Sequence, residues 1–180
     1  MKATGIVRRI DDLGRVVIPK EIRRVLRIRE GDPLEIYTDN NGEVIFKKYS
    51  PIGDLSGVAA DYAEVLSKAC GYPVIVCDSD HVIAVSGMPK KEILERRIST
   101  QLEDLQENRR SYLYASSDDQ KLMPVEGVER HALAASPILV AGDIYGTISI
   151  LANEPNSVAA DSDNKLVLVA ANFLAKQMEE

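Results

Sequence analysis

Charge changes sign along this chain, and no single domain with a uniform surface accommodates that. Residues 1–29 hold nine basic side chains (Lys2, Arg8, Arg9, Arg15, Lys20, Arg23, Arg24, Arg27 and Arg29) against three acidic ones (Asp11, Asp12 and Glu21), a net of +6. The whole 180-residue chain sums to -6, so residues 30–180 carry -12. A compact cationic head on an acidic body is the footprint of polyanion binding confined to one end. A chain of this length fits a small domain followed by one of roughly 120 residues.

The head reads as thin β structure around one short helix. In Gly5–Ile10, Ile6 and Ile10 share a face with Arg8 between them, and Asp11-Asp12-Leu13-Gly14 supplies turn chemistry before Arg15–Ile18. A tight β-β unit is the expectation. Pro19 suits the first helical position, and within Lys20–Arg27 the apolar Ile22, Val25 and Leu26 fall at i, i+3 and i+4, leaving Arg23, Arg24 and Arg27 to the outer face. Leu34–Thr38 and Val44–Lys48 alternate about a turn at Asp39–Gly42, as a half-buried hairpin should. Elements this slight sit near the limit of what can bury its own core, so pairing with a second copy is expected.

The run Gly5–Arg23 (GIVRRIDDLGRVVIPKEIR), followed by Gly31–Ile36 (GDPLEI), resembles the swapped-hairpin DNA-binding domain of the AbrB family. The resemblance implies that two chains interleave their hairpins into one small barrel, mainly β. It also implies that arginines of both chains face double-stranded promoter DNA: Arg8, Arg15, Arg23 and Arg24, with Lys2 and Arg9 as further phosphate contacts. Taken with the acidic body, the chain resembles transcription regulators of spore-forming bacteria, which implies sporulation genes as targets, activated or repressed.

The physical chemistry of the same residues agrees. Doubled by a dimer, these six cations become twelve, enough for a steep salt dependence on a duplex that carries a charge every ~1.7 Å. The guanidinium fork binds phosphate or guanine edges at two points. Surface charges are commonly just solvated or paired, but three acids cannot balance nine bases. The head has no aromatic set for stacking unpaired bases, and DNA is preferred over RNA through the resemblance.

Ser50–Asp54 is turn-rich and marks the boundary, giving 1–50 as the DNA-binding domain, 51–55 as a linker and 56–180 as a second domain. Residues 51–180 carry eleven bases and twenty acids, a net of -9, so the body should avoid DNA. Asp54 can cap a helix that stops at Gly71, and Pro73–Asp78 and Val82–Val85 read as strands. Leu94, Ile98, Leu102 and Leu105 hold helical spacing. Ala132–Val140 and Ile144–Ala152 form a hairpin, and Asp161 or Ser162 caps a last helix to Met178. Together these give an α+β, two-domain chain with helices on a largely antiparallel sheet in its second half.

That half resembles the GAF fold, most clearly in Ser136–Ile150 (SPILVAGDIYGTISI). The resemblance implies a small-molecule effector over one sheet face, with binding residues unknown, and self-association through terminal helices. The Asn-Lys-Phe-Asp-Glu pattern of cyclic-nucleotide GAF domains is absent, since no suitably placed acid pair follows Asn164-Lys165. Leu166, Val169, Phe173 and Met178 spread the apolar surface of the last helix beyond one face. A homodimer through the head and a second contact here predict a homotetramer.

No cofactor, metal site or catalytic group is expected. The gaps separating Cys70, Cys77, His81 and His131 match no usual zinc spacing, and neither histidine has a triad context. Two cysteines form no disulfide framework, no signal-peptide pattern opens the sequence, and the longest apolar run, Leu166–Ala175, is about half the ~20 residues of a membrane span. The expected location is the cytoplasm, on the nucleoid, and the forespore if the sporulation resemblance holds, with no membrane partner. Two alternatives remain: an antitoxin-like DNA-binding protein, because antitoxins use the same small barrel, and a GAF-type reductase working through Cys70 and Cys77.

Overall fold

A computed structural model describes residues 4–117 and 119–179, and Lys2 lies outside them. The chain divides into two compact units at Tyr49/Ser50.

In the first unit, helix α1 (Lys20–Val25) follows Pro19, and strands β1 (Leu34–Thr38) and β2 (Val44–Lys48) pair antiparallel with Leu34 opposite Lys48 and Thr38 opposite Val44. Asp39 closes that hairpin: one carboxylate oxygen accepts the amides of Asn41 (3.0 Å) and Glu43 (2.8 Å). These bonds hold its carboxyl below the ordinary range, the Glu43 amide most strongly.

The expected β-β unit of residues 5–18 keeps its turn but has no ladder within one chain. The Gly14 amide donates to the Asp11 carbonyl (3.0 Å) and the Asp11 amide to the Arg15 carbonyl (3.1 Å), while the flanking segments carry no strand pairing. The helix is also shorter than its periodicity suggested. It ends at Val25, and Arg27 takes a left-handed φ of 52°. The reason is common to both: no described residue of 4–49 is buried. Val7 is 85% exposed, Val17 70% and Val25 68%, so the apolar periodicity points at nothing within its own chain.

The second unit opens with a correction. Residues 51–55, expected as a linker, carry a short helix α2 (Pro51–Asp54) capped by Ser50, its Ile52 is fully buried, and the cap position of the helix that follows is Leu55 rather than Asp54. Helix α3 (Ser56–Cys70) ends at Gly71 with φ 75°. Strands β3 (Val74–Cys77), β4 (Val82–Ser86), β5 (Tyr112–Leu113), β6 (Ala132–Val140) and β7 (Asp143–Leu151) form one antiparallel sheet in the order β4-β3-β7-β6-β5. Helix α4 (Thr100–Glu107) and helix α5 (Asp161–Met178) complete it.

Helix α4 begins later than the Leu94/Ile98/Leu102/Leu105 spacing implied. Residues 95–98 instead bond to the β4 region, with Glu95 N–H to the Val82 carbonyl and Val82 N–H to the Arg96 carbonyl, both 2.9 Å. Ser99 then caps α4 through the Leu102 amide (3.1 Å). At α5 the cap position is Ala160, and Asp163 does the work, accepting the Ala160 amide at 2.8 Å.

Strand alternation sorts the sheet's side chains into two cores. Val74, Val76, Ile148 and Ile150 meet α3 and α5 through Ala59, Ala63, Val167, Ala170 and Leu174. Ile75, Cys77 and Ala135 face the opposite way, toward Ile93, Ile98, Leu102 and Val125.

Candidate nucleic-acid interface

Three short elements of the first unit present arginine. Arg8 and Arg9 precede the Asp11 turn, Arg15 follows it, and Arg23 and Arg24 occupy the last turn of α1; all five are exposed. Among the described residues no ion pair involves Arg8, Arg9, Arg23 or Arg24, and the one bond of the Arg8 guanidinium is a long one to the neighbouring Val7 carbonyl (3.4 Å). Their charges therefore stay available to an external anion.

Arg15 is different. The Asp11 carboxylate accepts the amides of Leu13 (3.0 Å) and Arg15 (2.8 Å) on one oxygen and Nε of the Arg15 guanidinium (2.8 Å) on the other. These contacts hold the Asp11 carboxyl below its ordinary range, the Arg15 amide foremost and the Arg15 guanidinium next. From sequence, Asp11 reads only as a balancing charge and a turn former. Its place four residues before an arginine, within an Asx turn, was the available signal.

In the second unit the side chains missed by sequence reasoning are Thr147 and Ser149. Both are 0% exposed, and their hydroxyls have no hydrogen-bond partner among the described residues. They stand opposite Cys77 and Ile75 on β3, on the sheet face away from α3 and α5. Strict alternation along β7 would have put them on that face from sequence. A cleft of about 320 Å³ nearby is lined by Leu105, Arg110, Tyr112, Lys121 and Leu122, and Leu105, Tyr112 and Leu122 also pack in the core on that face.

Cys77 is fully buried and Cys70 half-buried; burial pushes both thiols up, Cys77 far more strongly. His131 is held by the Ser157 carbonyl (3.0 Å) and the edge of the Tyr114 ring. No cluster of metal-ligating side chains occurs among the described residues, and no helix there is long and apolar enough to cross a membrane.

A cationic head without a core among its described residues, followed by an antiparallel sheet flanked by helices, makes a two-domain chain whose first unit suits a polyanion. Residues 54–179 match the family described as the stage V sporulation protein T C-terminal, transcription factor, and residues 7–54 match the family described as antidote-toxin recognition MazE, bacterial antitoxin. Over 182 aligned residues and the full length of both chains, the sequence is 50% identical to stage V sporulation protein T of Bacillus subtilis. The chain belongs to the stage V sporulation protein T family. Its head is 63% identical over 51 residues to the transition state regulatory protein AbrB of the same organism, covering 28% of this chain and 52% of that one. The GAF domain of a phosphoenolpyruvate-protein phosphotransferase from Coxiella burnetii shares the body's fold, with a TM-score of 0.52 at 16% identity over 69% of this chain and 82% of that one.

Proposed function

We propose that residues 1–50 grip promoter DNA as an interleaved dimer through Lys2, Arg8, Arg9, Arg15, Arg23 and Arg24, and that residues 56–180 regulate and assemble it. The carrying observation is the head itself: Arg8, Arg9, Arg23 and Arg24 have no acidic partner among the described residues, while its apolar side chains have no core there to enter. A second copy supplies that core and doubles the cations. Removing Arg23 and Arg24 with the double substitution to Ala takes four cations from a dimer. That lowers the slope of log affinity against log salt by roughly 3 to 4, because each phosphate contact contributes about 0.9. Fluorescence anisotropy on a promoter duplex across a salt series reads this directly, and an unchanged slope at unchanged thermal stability refutes the surface.

For the body, the buried hydroxyls of Thr147 and Ser149 support an effector of small polar character on their sheet face, because an unpaired buried hydroxyl is costly until something bonds to it. Val65, Val169 and Phe173, exposed by 65%, 60% and 40% on α3 and α5, support a second self-contact, hence a tetramer. The protein then works in the cytoplasm on the nucleoid, and in the forespore where sporulation genes are its targets. It performs no catalysis in this reading, since the raised thiols of Cys70 and Cys77 suit packing rather than nucleophilic chemistry. The antitoxin alternative has the match at residues 7–54 in its favour, and copurification of the native protein with a toxin chain would support it.

A further inference from the structure

The geometry points to Asp11 as a positioning residue that aims Arg15 for sequence discrimination. This rests on the DNA-facing role proposed above for Arg15. An exposed ion pair four residues apart contributes little stability by itself, and the Arg15 and Asp11 side chains are 69% and 36% exposed. Its value is directional. One oxygen of the Asp11 carboxylate is fixed by two backbone amides, so the other oxygen occupies a set position, and it receives Nε of Arg15. Nε is the guanidinium nitrogen that a two-point contact through the terminal pair does not need. The two Nη groups, which bond to no described residue, are left for a two-point contact with O6 and N7 of guanine or two phosphate oxygens. Ordering the fork before contact removes part of the side-chain entropy that binding would otherwise cost.

The consequence opposes simple electrostatics. Removing a carboxylate beside DNA should tighten binding to every duplex. If Asp11 aims Arg15, its removal lowers the preference for the correct duplex over a wrong one even as non-specific affinity rises. Asp11→Asn is the informative change: its side-chain carbonyl still accepts the two turn amides, while its NH2 cannot accept Nε. Asp12→Asn makes the same charge change one residue along, at an exposed carboxylate with no partner among the described residues.

The measurement uses the full chain, a duplex selected by the wild-type chain from a randomised pool, and a shuffled duplex of the same composition. Expected is a fall of about tenfold or more in the affinity ratio for D11N, no fall for D12N, and no further fall when D11N is added to Arg15→Ala. Should D11N lower the melting temperature, Asp11→Ser, whose hydroxyl can still accept a turn amide, takes its place. Equal tightening on both duplexes by D11N and D12N overturns the inference. An Arg15→Ala chain that binds the selected duplex as well as wild type overturns instead the DNA-facing role of Arg15.

Discussion

Gly146 has no room for a side chain, since a Cβ there would stand 2.1 Å from the Cys77 carbonyl oxygen, where β7 and β3 pair. Beside it, Thr147 and Ser149 present a different problem, buried hydroxyls with no partner among the described residues. Thr147→Val keeps the shape and removes the unsatisfied group. It should stabilise the unliganded body by about 1 kcal/mol, a rise of roughly 2–5 °C in melting temperature for a domain of this size. Calorimetry of the full chain checks it, and a variant less stable than wild type would mean the hydroxyl is already satisfied. A metabolite that raises the wild-type midpoint should act more weakly on T147V.

Helix α5 shows how an element can be legible in extent but not in use. Its heptad-like apolar content is visible in sequence, and Val167, Ala170, Ala171 and Leu174 turn inward onto the sheet. Val169 remains 60% exposed and Phe173 stacks on Tyr62 of α3, ring centroids 4.7 Å apart, so the two helices present one joint apolar strip. Val169→Glu should therefore leave the secondary structure intact while halving the oligomer, from tetramer to dimer, in light scattering behind a sizing column. A tetramer that survives the charge would locate the second contact elsewhere. Helix α4 teaches the reverse: its four-residue leucine spacing runs back to Leu94, yet backbone bonds to Val82 claimed residues 95 and 96 before a helix could.

At the scale of the whole molecule the two units differ in self-sufficiency. The second has two cores of fully buried side chains; the first has none among its described residues. Mass action then predicts that melting of the head depends on protein concentration while melting of the body within its unit depends on it much less. Tryptophan is absent, so hydrogen exchange at several concentrations, followed by mass spectrometry, resolves the two. Protection in residues 4–49 that stays constant on hundredfold dilution would show that the head stands alone.

The charge split, the β1-β2 and β6-β7 hairpins and the stop at Gly71 were legible because each depends on residues near one another in sequence: periodicity, turn chemistry and net charge are local properties. The turn-rich composition of Ser50–Asp54 did not show that Ile52 drops into the body's core. Sequence alone thus determined where the cations lie and which strands fold back on themselves. Only tertiary structure decided that Asp11 holds Nε of Arg15 and that, among the described residues, Thr147 and Ser149 are buried without partners and residues 5–18 find no ladder. Hydrogen-bond satisfaction and burial depend on what stands opposite a residue, and no spacing along the chain records that.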